Sequence, residues 1–286
     1  MKVSDIVSYL ESIANPSLQE SYDNSGLLIG TGEEEINAVL VSLDLTEEVL
    51  DEAIKRGAKM IISHHPIIFT GLKRFNAKSY VQRIVAKAIK NDLVIYAMHT
   101  NLDNVSQGVN AALASKLNLL NTRILLPKEN QLVKLVTYVP SAEKDKLLDA
   151  LFLAGAGIIG NYSEASFSSE GYGTFKGNEQ SKPKIGVPGK REIVKETRIE
   201  VLLNNFQRAQ VLEALQRTHP YEEVAYELLN LSQANQDIGS GFIGELPEEM
   251  LFEDFMDLLK TNFNLSVIRH TSKLKNKIKK IALCGG

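Results

Sequence analysis

Histidine and carboxylate residues in two short segments are the groups of this chain best suited to metal chemistry. The segment MIISHHPIIF places His64 and His65 side by side at the end of an apolar run, directly before Pro66. The segment MHTNLD supplies His99 and Asp103. Imidazole and carboxylate together are ligands that Zn, Mn, Fe, Co and Ni all accept in proteins. The residue types therefore predict a site for divalent metal ions.

The adjacency of the two histidines bears on the number of ions. Neighbouring side chains of extended backbone point to opposite sides. His64 and His65 are therefore expected to serve two ions rather than one, with Asp103 able to bridge them. Two ions about 3.5–4 Å apart are a common hydrolytic arrangement. His99 has three possible roles at this stage: a ligand, a group that orients a ligand, or a proton shuttle.

The remaining polar motifs carry weaker signals. Asp44 adds an acid at the end of an earlier apolar run, and Asp23 in SYDNSGLLIG belongs either to a turn or to a loop that supports the site. His219 is expected to be structural and His270 to be exposed. Cys284, the one cysteine, is expected to be a small buried strand residue rather than a nucleophile. Signatures of phosphate-binding loops, dinucleotide sites and serine hydrolases are absent from the sequence.

Short apolar runs alternate with amphipathic segments through the first 125 residues, which is typical of an α/β fold. This rhythm predicts βαβ units and a largely parallel sheet with helices on both faces. The strands are nearly continuous apolar runs, so they are expected to be buried on both faces. The two histidine segments follow strands, so both lie at the carboxyl edge where such sheets bind ligands. The predicted strands are residues 38–45, 58–63 and 93–98, and the predicted helices are residues 4–15, 47–56, 78–90 and 106–117.

The pattern changes after about residue 125, which predicts a second domain. Residues 126–235 are expected to form a small inserted α+β domain of ferredoxin-like type. It is expected to have two halves, each with a strand, a helix and a strand-like run, and residues 154–177 are rich in Gly and Ser. Residues 1–125 and 236–286 are expected to form one discontinuous α/β domain. Strands are predicted near Val267 and Ile281.

Composition excludes several classes of protein. The formal net charge is −3, and the one basic cluster, Lys273 to Lys280, is interpreted as a solvated loop, so nucleic acid is an unlikely partner. A single cysteine permits no disulfide within the chain. The N-terminal segment lacks the pattern of a signal peptide, and no run is long enough to cross a bilayer. These features predict a cytoplasmic protein.

Five segments together carry a family resemblance: YDNSGLLIG, ISHHPIIF, HTNLD, GFIGELPEE and IALCGG. They resemble the GTP cyclohydrolase I type 2 homologue family, also called the Nif-three-like dinuclear metal-binding family. The segment THPYEEVAYELL is similar to the PII/CutA-like middle domain of its longer bacterial members. The resemblance implies a two-metal site in which His64, His65 and Asp103 are ligands, and a homohexameric ring. It also implies a further His and Glu ligand, spaced H-x-x-x-E, after the CGG turn. The 286 residues do not contain them, so weak binding or a single ion is expected.

Two functions follow from these expectations. The first is a hydrolase with two divalent ions; the family resemblance implies GTP as substrate, attacked at purine C8 with opening of the imidazole ring. The alternative is a non-catalytic metal-binding regulatory or sensor protein that uses its PII-like domain. A nucleic-acid-binding module is poorly supported by the net charge.

Overall fold

The structure, a computed structural model, describes residues 1–272 and 276–285. These residues divide into two compact units: unit 1 is Met1–Pro127 with Gln236–Gly286, and unit 2 is Lys128–Asn235. The α-helices within the described residues are α1 (Val3–Ile13), α2 (Glu47–Arg56), α3 (Tyr80–Lys90), α4 (Thr100–Asp103), α5 (Val109–Lys116), α6 (Lys144–Leu153), α7 (Arg208–Thr218) and α8 (Phe252–Phe263).

The described strands form three sheets, two in unit 1 and one in unit 2. The strands are β1 (Gly26–Ile29), β2 (Val39–Ser42), β3 (Met60–Ser63), β4 (Val94–Ala97), β5 (Leu120–Pro127), β6 (Leu132–Pro140), β7 (Ser166–Lys176), β8 (Arg191–Asn204), β9 (Tyr226–Asn230), β10 (Gly239–Leu251) and β11 (Lys277–Leu283).

The first sheet of unit 1 has the order β1-β4-β3-β2 and confirms the predicted α/β class. Strands β2, β3 and β4 run parallel, whereas β1 is antiparallel to β4. Every residue of β4 is buried, as expected of a central strand covered on both sides. Helices α2 and α3 cover this sheet with Leu50 and Ile84, which pack against Ile61 and Ile95 in one core.

Local signals set the ends of these two helices. The Thr46 side chain accepts a hydrogen bond from the Val49 N–H and begins α2, and Gly57 ends it in the left-handed conformation with φ 71°. Ser79 and Gln82 form a capping box at the start of α3. The positions of the parallel strands are therefore fixed by short connections with defined ends.

The second sheet of unit 1 has the order β11-β10-β5, with antiparallel pairing throughout. Ile124 and Phe242 pack against α5, and Leu246 and Ile281 pack against Phe255 of α8. Because β5 precedes unit 2 in the chain and β10 follows it, this sheet joins the two sequence segments of unit 1.

Unit 2 has the element order β6-α6-β7-β8-α7-β9 and one antiparallel sheet of order β7-β8-β6-β9. Helices α6 and α7 cover one face, where Leu135, Ile199 and Val201 meet Leu147 and Leu215. The likeness of this unit to PII and CutA proteins stays a prediction.

The Gly/Ser-rich stretch contains β7, which pairs with β8 at eleven successive positions from Ser166 to Lys176. Two local predictions were wrong. The helix expected from residue 106 begins only at Val109, after the separate helical turn α4. No strand includes Val267, since residues 264–272 contain neither helix nor strand.

Two predictions of burial were also wrong, in both cases at a sheet edge. Val41 of β2 is 73 % exposed, because an edge strand is not covered as a central one is. Cys284 is exposed rather than buried; it directly follows β11, the edge strand of the second sheet. Of the basic cluster, residues 273–275 lie outside the described residues, and Lys277 to Lys280 belong to β11.

Candidate metal centre

Two parallel strands bring the histidine segments together at one edge of the sheet. Ser63 and Ala97, the last residues of β3 and β4, are register partners, so the residues that follow them leave the sheet side by side. His64 and His65 follow β3 directly, and His99 follows β4 by two residues. The predicted convergence at the carboxyl edge is therefore what the structure shows.

The three imidazoles form one cluster. One ligand atom from each of His64, His65 and His99 lies within 4.8 Å of the other two. The ring centroids of His64 and His65 are 5.0 Å apart. The centroid of His99 lies 5.2 Å from that of His64 and 5.5 Å from that of His65. The expectation that the adjacent histidines diverge was wrong, because they lie in a bend beyond β3 and not in extended backbone.

Backbone hydrogen bonds hold this bend in place. The His64 N–H donates to the Ser42 carbonyl at 3.2 Å, and the His65 N–H donates to the Leu43 carbonyl at 3.0 Å. Ser42 is the last residue of β2, the neighbouring strand, and Leu43 directly follows it. The histidine pair is thus positioned by the sheet itself, which favours a preorganised site.

Each ring is oriented through its Nδ1 atom. His64 Nδ1 lies 2.8 Å from the Met98 carbonyl oxygen, His65 Nδ1 lies 2.6 Å from Asp44 Oδ1, and His99 Nδ1 lies 2.7 Å from Asp23 Oδ1. Carbonyl and carboxylate oxygens only accept, so the three Nδ1 atoms carry the hydrogens. The lone pair of each neutral ring is then on Nε2. Acceptors bound to the distal nitrogen are the usual support of metal-binding histidines.

Asp23 is the most completely engaged of these acceptors. Its side chain is fully buried and accepts from His99, from the Thr100 N–H at 3.0 Å and hydroxyl, and from the Asn24 N–H. Burial raises the pKa of Asp23, but these hydrogen bonds outweigh it and lower the pKa to about 2. Asp23 is therefore ionised at neutral pH and holds the His99 ring in one orientation. The SYDNSG motif supports the site rather than merely forming a turn.

Asp103 lies beside the cluster and is buried, with 7 % of its surface exposed. Its Oδ1 atom has no hydrogen-bond partner among the described residues. Burial raises the pKa of Asp103, and positive charge on His64 and His99, when these rings are protonated, acts against that rise. A buried carboxylate oxygen without a donor is costly unless a cation or donor completes it. The donor set thus fits a divalent cation.

The backbone around Asp103 brings the end of β11 to the same place. Asn110 is fully buried; its amide donates to the Asp103 carbonyl at 2.9 Å, and its Oδ1 accepts from the Gly285 N–H at 2.8 Å. A Cβ added at Gly285 would lie 3.5 Å from Asp103 Oδ1 and 2.7 Å from Val109. Gly285 therefore borders the site, and a side chain there would collide with its wall.

The cluster is open to solvent on one side. His65 is exposed, whereas His64 and His99 are half-buried, and burial lowers the pKa of His64. A lowered pKa keeps the ring neutral, the form that binds metals. The exposed Phe69 ring lies 6.3 Å from His99 and 6.4 Å from Tyr22, so an aromatic surface borders the open side.

The structure brings some of the polar residues noted in the sequence together and leaves others apart. His64, His65 and His99 share one cluster, and Asp103 adjoins it. Asp44, noted in the sequence only as an additional acid, orients His65. His219 and His270 lie outside the cluster. No described helix is both long and apolar enough to cross a membrane.

Comparisons with known proteins give a consistent result over the whole chain. Residues 1–286 match the model of the Duf34/NIF3 (NGG1p interacting factor 3) family. Proteins named GTP cyclohydrolase 1 type 2 homolog are similar in sequence: that of Halalkalibacterium halodurans is 42 % identical and that of Bacillus subtilis is 38 % identical. The first alignment covers 100 % of this chain and 78 % of the relative, and the second covers 98 % and 76 %.

Solved structures agree with the sequence comparisons. A Bacillus cereus protein related to NIF3 superposes with a TM-score of 0.86 at 41 % identity, covering 100 % of this chain and 77 % of the other. A Staphylococcus aureus protein superposes with a TM-score of 0.72 at 34 % identity, covering 100 % and 75 %.

Proposed function

Because the chain belongs to the Duf34/NIF3 family over its whole length, we propose that it is a hydrolase that depends on divalent metal ions and acts on a nucleotide. The observation that carries this proposal is the cluster of His64, His65 and His99, in which one ligand atom from each lies within 4.8 Å of the others. All three rings have their Nδ1 atoms engaged by acceptors, so their Nε2 lone pairs remain for an ion.

The residues that would hold the ions are the three histidines and Asp103. A divalent ion in such a site supplies Lewis acidity, which acidifies water and polarises a carbonyl or phosphoryl oxygen. Four groups are enough for one ion. The second ion, which the family resemblance implies, needs ligands in addition to these four.

His99 is proposed as a ligand rather than as the proton shuttle considered from the sequence. Its ligand atom groups with those of His64 and His65, and its other nitrogen is bound to the ionised Asp23. That pairing orients the ring and increases its basicity, which strengthens a ligand. Asp103, with a buried oxygen that lacks a donor, is proposed as the carboxylate ligand.

GTP is proposed as the substrate, with hydrolytic opening of the purine ring. The relatives' names support this choice, and so does the aromatic surface at the open side of the cluster. The exposed ring of Phe69 lies beside His99, and the exposed ring of Tyr22 is tilted by 48° to it, so these rings offer apolar faces on which a nucleobase can stack. The chain's own residues thus supply a metal site and a stacking surface side by side.

The alternative is a non-catalytic metal-binding regulatory protein. A cavity of about 640 Å³ lies wholly within unit 2, and the histidine cluster lies in unit 1. A ligand-binding cavity in a unit without the metal cluster suits a sensor as well as an enzyme. Self-association into a hexameric ring is proposed by resemblance, and light scattering of the purified chain tests it.

The deciding experiment measures metal content and GTP turnover on the same preparation. The chain is loaded with Zn, Mn, Fe, Co or Ni, analysed by elemental mass spectrometry, and incubated with GTP, and products are separated by chromatography. Metal-dependent product formation that His64→Ala abolishes supports the hydrolase. Bound metal without turnover favours the regulatory protein, and absence of bound metal refutes both proposals. His270→Ala is the matched control, because His270 is exposed and outside the cluster.

A further inference from the structure

The cavity of unit 2 lies on the face of its sheet that the helices do not cover. Ile199 and Val201 of β8 pack against α6 and α7. Side chains alternate along a strand, so Glu196 and Arg198 point to the opposite face. Register pairing places Gly171 opposite Glu196 and Tyr138 opposite Arg198 on that face. The volume of about 640 Å³ is within the usual range for small-molecule sites.

Glu196 places a buried carboxylate in the wall of this cavity. The residue is 9 % exposed, and its Oε1 accepts a hydrogen bond from the Tyr221 hydroxyl at 2.9 Å. Within the described part of the chain, no lysine, arginine or histidine forms an ion pair with it. A buried charge is costly unless it is paired.

Glycines on the neighbouring strand make room for this carboxylate and for the cavity. A Cβ added at Gly173 would lie 1.9 Å from Glu196 Oε2, so the carboxylate packs directly over the backbone. A Cβ added at Gly171 would meet no atom within 4 Å, since that position borders open space. Larger residues at these two positions would fill the concave surface in front of Glu196.

Aromatic rings form other parts of the wall. The rings of Phe175 and Tyr221 are 6.0 Å apart at 59°, and Tyr138 also lines the cavity. His219 fixes two of these residues: its Nε2 donates to the Tyr138 carbonyl at 2.9 Å, and its Nδ1 accepts from the Tyr221 N–H at 3.2 Å. Rings of this kind attract cations to their faces.

The other charged groups of the lining are exposed or already paired. Glu170 pairs with Lys195 at 2.8 Å, and Arg198 pairs with Glu200 at 3.0 Å. The lining lysines 176 and 184 are exposed and solvated. Among the charged residues that line the cavity, Glu196 is the one that is buried, so its carboxylate lies at the least solvated part of the wall.

We propose that this cavity binds a small organic cation, with an ammonium, amidinium or guanidinium group paired to Glu196 and its apolar part against Tyr138, Phe175 and Tyr221. Such a group supplies the N–H donors and the positive charge that the buried carboxylate lacks. The inference concerns unit 2 alone and does not depend on the proposed hydrolase activity.

Benzamidine and benzamide form a matched pair of probes, since they share a shape and only benzamidine is charged at neutral pH. Titration of the full 286-residue chain by calorimetry is expected to show one benzamidine site with a Kd of about 1 mM or lower, and no comparable benzamide site. Absence of saturable benzamidine binding, or equal binding of benzamide, overturns the proposal.

Two variants locate the binding site. Glu196→Gln keeps the shape and an acceptor for Tyr221, and is expected to weaken benzamidine binding at least about tenfold. Gly171→Val fills the cavity from a position with free space and is expected to abolish binding. Ser166→Val, on the same strand but outside the cavity lining, is the control and should bind as the wild type does. Unchanged binding by Glu196→Gln refutes the assignment.

Discussion

The histidines of the two units differ in how their ring nitrogens are used. In unit 1, His64, His65 and His99 each engage only Nδ1 with an acceptor, and one ligand atom from each lies within 4.8 Å of the other two. In unit 2, His219 uses both nitrogens, one as a donor to Tyr138 and one as an acceptor from Tyr221. A buried histidine with both nitrogens engaged has no atom left for a ligand, whereas an oriented ring with one unused nitrogen is prepared for one.

The largest effects are expected when a histidine of each unit is replaced by alanine, which tests this contrast directly. His64→Ala is expected to lower metal affinity by more than the ~100-fold that loss of an outer partner costs, with little change in Tm. His219→Ala is expected to leave metal content unchanged and to lower the free energy of unfolding by about 2–3 kcal/mol, since buried hydrogen bonds and packing are lost. Elemental analysis and thermal unfolding measure the two effects. If both variants changed both quantities equally, the distinction between the units would fail.

The acceptor behind His99 offers a sharper test within unit 1. Asp23→Asn keeps the size of a fully buried side chain but removes the charge that orients the ring. Metal affinity is expected to fall about 10–100-fold, as for other groups that orient metal-binding histidines. Competition with a chromogenic chelator measures this loss. Unchanged affinity would show that the Asp23–His99 hydrogen bond does not support the site.

The pH dependence of unfolding should show how His219 is buried. Burial lowers the pKa of His219 below its ordinary value of 6.5, against the opposing effects of its Tyr138 hydrogen bond and the Glu196 charge. As the pH falls below 6.5, the unfolded chain binds a proton that the folded chain does not, so stability decreases. The slope from this residue is at most about 1.4 kcal/mol per pH unit.

Denaturant unfolding between pH 7.5 and pH 5.0 measures how steeply the free energy of unfolding depends on pH. This dependence should be smaller in His219→Gln than in the wild type. The variant His270→Gln, in which an exposed histidine is replaced, serves as the reference for the loss of one imidazole. An identical slope in His219→Gln would contradict the lowered pKa.

The smallest effect on metal affinity is expected from Asp44, which accepts the hydrogen bond of His65. The side chains of Asp44 and His65 are 60 % and 49 % exposed, so water can replace the hydrogen bond between them. Asp44→Asn should weaken metal binding less than about threefold, on the scale of exposed ion pairs. The same chelator competition applies, and a loss as large as that of Asp23→Asn would show that burial does not govern these supporting contacts.

Local sequence signals predicted the frame of the site but not its details. Thr46 and Gly57 bound α2 through contacts within a few residues, so their roles could be inferred from the sequence. The convergence of His64 and His65 could not, because their bend is held by hydrogen bonds to the end of β2. The Asp23–His99 pair joins residues 76 positions apart and has no local signal.

Unit 2 was harder to predict for a related reason. β7 is rich in glycine and serine, so its propensity is weak, and its strand conformation comes from pairing with β8 along its length. The burial of Glu196 depends on Tyr221 and on the absence of a side chain at Gly173, over which its carboxylate packs. These contacts join different segments of the chain, and a pattern within one segment does not contain them.

The closeness of the two ends of unit 2 has a consequence for the order of folding. The Asn235 N–H donates to the Lys128 carbonyl at 3.3 Å, so folding of unit 2 brings its first and last residues together. β5 and β10 are then separated by a short effective loop instead of roughly 110 residues, which lowers the entropy cost of closure by about 2–3 kcal/mol. Unit 2 is therefore expected to fold first. Its folding brings β5 and β10 close together, which favours formation of the second sheet of unit 1. Because β11 follows β10 in the chain, it is expected to pair with β10 after β5 and β10 have been brought together.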